Sequence, residues 1–221
     1  MILAQRYRIL ALLLCSPCLV ESFAAKKKGG SVAKSSKGFG VPPESLESVL
    51  SKFPTRLPDN ADDLPCPCGS SQTYGSCCAP FHRYEKQCLA TTDVLRSRYS
   101  AFKYRLIQYV MDTTHETCRD YRENRIAWAK DLHKAGMFDS YEFVGIEAGP
   151  EVPGKNENEG FITFQVRLRA KGVGLEQSKG SETIVKEKSR FLRDPTTGVW
   201  SYASGEVRAD VAGLEDTILN P

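Results

Sequence analysis

Four cysteines lie close together in the first half of the chain, as the pair Cys66 and Cys68 followed by the adjacent pair Cys77 and Cys78. A structural zinc ion is usually held by four thiolate or imidazole ligands at the corners of a tetrahedron, with Zn–S bonds of about 2.3 Å. Two close pairs on a loop that doubles back provide this geometry, and the glycines and serines between them let backbone N–H groups approach the sulfur atoms. The sequence therefore predicts one structural zinc ion bound by these four cysteines.

Two other arrangements of the cysteines stay open. Crossed disulfides are one, although adjacent cysteines can hardly bond to each other without strain. Replacement of one sulfur by His82 is the other, and a surface or hydrogen-bonding role for this histidine is favoured over it. Outside the cluster, Cys88 and Cys118 are predicted to be small structural residues. Cys118 follows His115 at a spacing that suits one helix face, so a metal half-site or a reactive thiol there is a further alternative.

The residues around the four cysteines resemble a known motif. Residues 66–70 (CPCGS) and 74–78 (YGSCC) are similar in type and spacing to the SEC-C motif, the zinc-binding tail of the SecA translocation ATPase. This resemblance implies that the four cysteines are the zinc ligands and that the partners are proteins, either in translocation or linked to the ribosome. Members of that family usually continue with Gly-Lys-Lys after Gly-Ser. This chain has SQT at residues 71–73 and so lacks those lysines for partner contacts.

A second group of polar residues is a candidate ligand site. Arg98 and Tyr99 on a predicted helix and Arg190 on a predicted strand could hold an anionic group through forked hydrogen bonds. His115 is a candidate acid or base, because histidine titrates near neutrality. The favoured alternative is that the arginines form ion pairs with acidic residues and that His115 caps a helix. The chain has no Ser-His-Asp order, paired-carboxylate motif, phosphate-binding glycine loop or nucleotide fingerprint, so no catalytic residue is assigned and an enzyme is not favoured.

The secondary structure that positions these residues is predicted to be helical up to Gly136 and to consist of β-strands after it. A short helix is predicted over residues 42–53, a second from Thr91 with a break near Lys103, and a third over residues 116–134 with a stop at Gly136. The apolar period then changes from 3.6 to 2, which predicts four strands, at residues 138–147, 161–170, 181–193 and 199–207. Helices followed by a meander of strands predict an α+β fold with helices on one face of an antiparallel sheet.

A second resemblance covers this α+β part. Residues 95–102 (LRSRYSAF), 113–115 (TTH), 189–192 (SRFL) and 200–202 (WSY) are similar to the YchJ-like family, in the family's order. The resemblance implies a SEC-C motif followed by a nuclear-transport-factor-2-like (cystatin-like) domain, which is a cone of antiparallel sheet with helices on one face. Bacterial members often end with a second SEC-C motif. No cysteine follows Cys118 in this chain, so that second motif is not expected here.

Together these observations predict five segments. They are a presequence (1–40), a short helix and linker (41–63), a zinc knuckle (64–88), a nuclear-transport-factor-2-like α+β domain (89–210) and a C-terminal tail (211–221). The segment of residues 64–88 is called the knuckle.

Residues 1–40 have the composition of a targeting segment. Two arginines precede a short apolar run, and a basic, Ser-rich stretch without acidic residues follows Phe23. This order resembles the two-part plastid presequence of algae with secondary plastids, and it predicts a plastid protein that arrives by the secretory route. Secretion is the alternative. The apolar run is shorter than the roughly 18 residues that span a bilayer, so no membrane association beyond the presequence is predicted.

The distribution of charge along the chain indicates which class of partner is favoured. Residues 1–40 carry a net charge of +6, and the remaining residues carry −3. The folded part therefore lacks the overall positive charge that favours nucleic-acid binding. Nucleic acid is thus a weaker alternative to a protein partner. The predicted function is a zinc-binding protein that acts as a protein-interaction or adaptor module. A small-molecule-binding protein or enzyme that uses a cavity of the α+β domain is the alternative. The sequence leaves the oligomeric state open.

Overall fold

The protein is described from a computed structural model, which covers residues 44–134, 137–172, 179–211 and 214–218. The predicted presequence and the helix stop at Gly136 lie outside these residues. Among the described residues, none of the helices combines the length and the apolar composition that a membrane span requires.

The first described element is a short helix, α1 (Leu46–Leu50). The helix begins after Ser45, whose side-chain oxygen accepts a hydrogen bond from the backbone N–H of Ser48 at 3.1 Å. Val49 is fully buried in the main hydrophobic core. The helix is therefore packed against the domain and is more than a linker.

Two small helical turns frame the cysteine loop. A 3-10 helix (Ala61–Asp63) precedes the first cysteine pair, and α2 (Ala79–His82) follows the second. The cysteines share a small separate core with Tyr74 and Tyr104. The knuckle therefore packs around its own sulfur atoms and one aromatic pair.

The longest helix, α3 (Thr91–Tyr104), lies at the centre of the domain. The carboxylate of Asp93 accepts a hydrogen bond from the backbone N–H of Ala90 at 3.1 Å, so an acidic side chain in the first turn closes the helix start. The helix ends at Tyr104, because the next residue, Arg105, has a left-handed backbone with a φ of 58°. A second short helix, α4 (Ile107–Asp112), follows, so the predicted break near Lys103 occurs two residues later.

The third predicted helix is shorter than its sequence pattern indicates. Only α5 (Arg125–Lys134) is helical, and the predicted start at residue 116 is wrong. Thr114 forms a parallel bridge with Tyr202 on the sheet, and the backbone N–H of His115 donates to the Tyr202 carbonyl oxygen at 2.8 Å. These bonds hold Thr114 and His115 against the sheet, and residues 116–120 then form turns rather than a helix. The helix begins only where the side chain of Asn124 accepts from the N–H of Ala127 at 3.0 Å.

A helical turn, α6 (Met137–Ser140), replaces the first residues of the first predicted strand. Phe138 is fully buried, and its ring packs against Phe102 with centroids 5.9 Å apart. The guanidinium of Arg56 bonds the Phe138 carbonyl oxygen and the Asp139 carboxylate. This anchored turn explains why the strand starts at Tyr141 and not at Phe138.

The described residues form one sheet of five antiparallel strands in sequence order. They are β1 (Tyr141–Pro153), β2 (Glu159–Ala170), β3 (Glu182–Arg193), β4 (Trp200–Val211) and β5 (Leu214–Ile218). On β2 the predicted inward residues are all buried, namely Ile162, Phe164, Val166 and Leu168. β5 pairs with β4 within the segment that the sequence assigns to a tail. Helix α3 packs against β1, β2 and β4, which confirms the predicted α+β class.

Candidate metal centre and internal cavity

The four predicted zinc ligands converge in the structure. The sulfur atoms of Cys66, Cys68, Cys77 and Cys78 all lie within 4.8 Å of one another. The Sγ atoms of Cys68 and Cys77 are 3.5 Å apart, and those of Cys77 and Cys78 are 3.9 Å apart. A tetrahedron with Zn–S bonds of about 2.3 Å has edges of about 3.8 Å. The cluster therefore has the dimensions of a four-thiolate metal site, and all six described cysteines are free thiols.

Local hydrogen bonds bring the two pairs together. The N–H of Cys66 donates to the Gln72 carbonyl at 2.7 Å, and the N–H of Tyr74 donates to the Leu64 carbonyl at 2.8 Å, which closes a tight hairpin. Gly69 has a φ of 74°, a backbone conformation that glycine adopts without strain. The N–H groups of Cys77 and Ala79 then donate to the Tyr74 carbonyl and turn the second pair back toward the first.

The thiols perturb one another strongly. Hydrogen bonds from the Cys66 and Cys78 thiols lower the pKa of Cys68. The contact with Cys68 raises the pKa of Cys66, and the contacts with Cys66 and then Cys68 raise the pKa of Cys78. The Ser70 hydroxyl lies 3.0 Å from the Cys77 sulfur. A cluster in which one thiolate is stabilised by its neighbours suits a cation, because a metal ion takes the place of the shared protons.

The knuckle is tied to α3 by polar contacts. The Arg96 guanidinium donates to the Cys68 carbonyl oxygen at 2.8 Å. His82 uses both ring nitrogens: Nε2 lies 2.9 Å from the Ser97 carbonyl oxygen and Nδ1 lies 2.7 Å from the Tyr74 hydroxyl. The carbonyl can only accept, so Nε2 carries the proton and Nδ1 accepts from Tyr74. Burial lowers the pKa of His82 to about 4. This histidine is therefore a hydrogen-bonding bridge, and it is not part of the sulfur cluster.

An internal cavity of about 50 Å³ lies between α3 and the sheet. Its walls are mainly apolar, and they include Leu95, Phe102, Phe143, Phe164, Val166 and Phe191. Large side chains thus occupy most of the space that a cone of sheet could enclose.

The structure does not bring the four predicted pocket residues together. Arg98 and Tyr99 line the cavity. Arg190 lies elsewhere, where its Nε forms an ion pair with Glu159 at 2.6 Å beside the open turn between β1 and β2. The Nδ1 atom of His115 accepts from the Thr117 N–H at 3.2 Å in a local turn, so this ring does not line the cavity.

Two inward-facing polar residues of β3, Glu187 and Ser189, line the cavity and are not among the residues predicted from the sequence. Both are buried on the face of the strand that also carries Val185 and Phe191. Burial raises the pKa of Glu187 to about 8, against opposing hydrogen bonds from Ser189 and Tyr202 and the charge of Arg98. The signal in the sequence was the alternation itself, because two polar residues stand at inward positions of an otherwise apolar face.

The other two cysteines of the described residues are buried. Cys88 lies 3.4 Å from the Tyr109 hydroxyl, and Cys118 is in the main core. Burial raises the pKa of both thiols, which disfavours the reactive thiolate. In the described part of the chain, His115 and Cys118 belong to no cluster of three or more metal-ligating side chains.

The fold and the site define a class of protein, an α+β domain preceded by a four-cysteine motif, and comparison with known proteins agrees. The family described as "YchJ, middle NTF2-like domain" matches residues 90–205, just over half of the chain. A UPF0225 protein of Vibrio vulnificus strain YJ016 is 33% identical over 140 residues, which are 63% of this chain and 73% of that protein. Another, of Vibrio parahaemolyticus, is 31% identical over 63% of this chain and 73% of its own length. The chain belongs to the UPF0225 family with a YchJ-like middle domain.

Two solved structures are similar to this one. A SEC-C motif containing protein of Rhodopseudomonas palustris, known from a solution structure, has a TM-score of 0.51 and 25% identity, and the match covers 65% of this chain and 98% of that one. A SEC-C motif containing protein of Psychrobacter arcticus has a TM-score of 0.51 at 18% identity over 68% of this chain and 86% of its own, which supports the fold alone. The predicted nuclear-transport-factor-2-like domain with a preceding cysteine cluster is thereby confirmed.

Proposed function

We propose that this chain is a zinc-binding adaptor, in which one structural zinc ion fixes the knuckle as a surface for a protein partner. The convergence of four sulfur atoms within 4.8 Å is the observation that carries the proposal. Four thiolates complete the coordination of zinc, so such a site leaves no position for a reacting water. The metal would stabilise the fold of the knuckle and would not act as a Lewis acid.

The exposed side of the knuckle supports a binding role. Ser71, Gln72, Thr73 and Ser76 are exposed, whereas three of the four cysteines beneath them are buried. Arg96 and His82 fix this layer to α3 from the other side. A metal site would therefore present a rigid loop with uncharged exposed side chains to a partner, without a cost for ordering the loop at binding.

The kind of partner follows from the resemblance to the SecA tail. We propose a protein partner, linked to translocation or to the ribosome. The net charge of −3 outside residues 1–40 argues against nucleic acid. We also propose that the protein works in a plastid. A reducing compartment keeps the thiolates from forming disulfides, whereas the environment of a secreted protein is oxidising.

Site-specific crosslinking tests the adaptor role. A photoreactive residue is placed at Gln72 on the exposed knuckle loop, or at Thr163, which is exposed on β2 and serves as the matched control. The proposal expects one defined protein to crosslink from position 72 in the zinc-loaded chain, and the crosslink to disappear when Cys68 is changed to serine. Equal crosslinking from both positions, or crosslinking from position 72 that survives loss of the metal, would overturn it.

A further inference from the structure

One of the four sulfur atoms of the knuckle can be reached from outside the fold. Cys66, Cys68 and Cys78 are buried, with 6%, 0% and 1% of their surfaces exposed. Cys77 is only half-buried, and the residue before it, Ser76, is exposed. A small reagent dissolved in the surrounding water therefore reaches the Cys77 sulfur before it reaches the other three.

The Cys77 sulfur has one neighbour with which it can form a disulfide. Sγ of Cys78 lies 3.9 Å away, but the Cα atoms of adjacent residues are about 3.8 Å apart, less than the roughly 4.4 Å that an unstrained disulfide needs. Sγ of Cys68 lies 3.5 Å away, across the loop of residues 69–76. These two sulfur atoms need to approach each other by only about 1.5 Å to bond. Cys77 is thus an accessible thiol with Cys68 as its resolving partner.

A hydroxyl group lies beside the accessible sulfur. Oγ of Ser70 is 3.0 Å from the Cys77 sulfur, and the same side chain also contacts the Cys68 thiol. In a zinc-loaded knuckle the four sulfur atoms are thiolates, so the hydroxyl is the donor and the sulfur the acceptor. The hydrogen bond engages a lone pair that would otherwise attack an electrophile. Ser70 therefore moderates the reactivity of Cys77.

We propose that Cys77 is the site at which a peroxide oxidises the zinc-loaded knuckle, and that this oxidation joins Cys77 to Cys68 and releases the metal. The reaction requires the zinc-bound knuckle of the proposed function, on which it therefore rests. Cys88 and Cys118 are buried in the main core and take no part.

The reaction consumes one molecule of hydrogen peroxide in two steps. The Cys77 thiolate attacks a peroxide oxygen, the O–O bond breaks, and the departing hydroxide takes up a proton to become water, which leaves a sulfenic acid on Cys77. The Cys68 thiolate then attacks the Cys77 sulfur, the S–O bond breaks, and a second hydroxide takes up a proton. The two thiolates lose two electrons in total, and the peroxide gains them and becomes two molecules of water.

The disulfide removes two of the four metal ligands. Cys66 and Cys78 alone supply only half of the tetrahedron, so the zinc ion leaves and the knuckle loop loses the cross-link that keeps it rigid. The surface for the protein partner is lost with it. A dithiol reverses the change by thiol–disulfide exchange, in which it gives up two electrons and two protons and forms its own disulfide. Partner binding thereby responds to the peroxide concentration.

The test exposes the full zinc-loaded chain to hydrogen peroxide in large molar excess. A chromogenic chelator reports the released zinc, and peptide mass mapping locates the oxidised cysteines. We expect one zinc ion released per disulfide formed, a first product that links Cys68 to Cys77, and free thiols at Cys88 and Cys118. Dithiothreitol together with added zinc should restore the original native mass.

Removal of the Ser70 hydroxyl gives a second readout that leaves all four cysteines in place. Ser70→Ala should still bind one zinc ion, and peroxide should release that zinc about 5-fold faster than from the wild type, which corresponds to the loss of about 1 kcal/mol of hydrogen bonding. Ser76→Ala is the matched control. The Ser76 hydroxyl lies on the same loop but bonds Thr73 and not a sulfur atom, so this variant should react like the wild type.

The zinc content before oxidation distinguishes a failure of this proposal from a failure of the proposed function. A chain that holds no zinc before peroxide is added would overturn the proposed function, and the oxidation site with it. Zinc that stays bound in excess peroxide, a first disulfide that does not include Cys77, or a Ser70→Ala variant that reacts at the rate of Ser76→Ala would each overturn the oxidation site alone.

Discussion

Replacing Glu187 with glutamine is expected to remove a pH dependence of folding stability. The side chain is 1% exposed, and burial raises its pKa from the ordinary value of 4.5 to about 8. Between these two values the folded chain holds a proton at this carboxyl that the unfolded chain has lost. The free energy of unfolding of the wild type therefore falls as the pH rises through this window, and the fall stops above about pH 8.

The size of the effect is set by the difference between the two pKa values. One pKa unit corresponds to about 1.4 kcal/mol, so by pH 7 the wild type has lost about 3 kcal/mol relative to its stability at acidic pH. Glutamine is neutral at every pH and keeps an acceptor for Ser189 and Tyr202. The variant should therefore gain stability over the wild type as the pH rises, up to this order of magnitude.

Urea unfolding at a series of pH values between about 5 and about 9 measures the difference. The sulfur cluster is common to both proteins, so the difference in unfolding free energy isolates the Glu187 contribution. Glu206→Gln is the matched control, because Glu206 is exposed on the neighbouring strand and its removal should leave the wild-type slope unchanged. Parallel stability curves for the wild type and Glu187→Gln would refute the reasoning.

Three further substitutions probe the knuckle and the contact between Gly205 and Glu187, where a Cβ atom at position 205 would overlap Oε1 of Glu187. Cys68→Ser should abolish zinc binding and lower the melting temperature of the purified chain, as measured by metal analysis and thermal unfolding, because it removes one of four ligands. Tyr74→Phe should cost about 1–2 kcal/mol in urea unfolding, because it leaves Nδ1 of His82 without its donor. Gly205→Ala should destabilise the chain by about 1–3 kcal/mol, and much less when Glu187 is also alanine, as a double-mutant cycle would show.

The first two changes have matched controls, and the double-mutant cycle with Glu187 serves as the control for Gly205→Ala. Cys88→Ser alters a buried thiol outside the cluster, so zinc content should be unchanged. Tyr84→Phe removes a hydroxyl that bonds Asp112 at the surface, and it should cost less than Tyr74→Phe. A Cys68→Ser protein that keeps its zinc, a Tyr74→Phe protein as stable as the control, or additive effects at positions 205 and 187 would contradict the respective prediction.

Features that depend on local spacing were predictable from the sequence. The cysteine pairs and the alternation on β2 are short-range patterns, and the structure places these residues as predicted. The start of α5 was not predictable in this way. Charged and apolar residues from 116 onward suit a helix, but Thr114 and His115 bond Tyr202, which lies almost ninety residues further along the chain. Such a long-range bond leaves no local signal.

The predicted ligand site shows the same limit, because local sequence patterns do not reveal long-range contacts. Arg98 and Arg190 look equivalent in the sequence, yet only Arg98 lines the cavity, because β3 turns Arg190 toward Glu159. The inward position of Glu187 on β3 follows from the alternation with Val185 and Phe191, whereas no sequence motif marks this residue. A polar residue on a buried face is thus a better guide to an internal site than a polar residue beside a familiar motif.

The most direct test of the central claim is native mass spectrometry of the chain, purified without added metal and compared with its denatured mass. The proposal predicts one zinc ion per chain in the native spectrum, and a denatured mass in which every cysteine is a free thiol. A metal-free native mass, together with a denatured mass reduced by paired cysteine oxidation, would contradict a structural zinc site at Cys66, Cys68, Cys77 and Cys78.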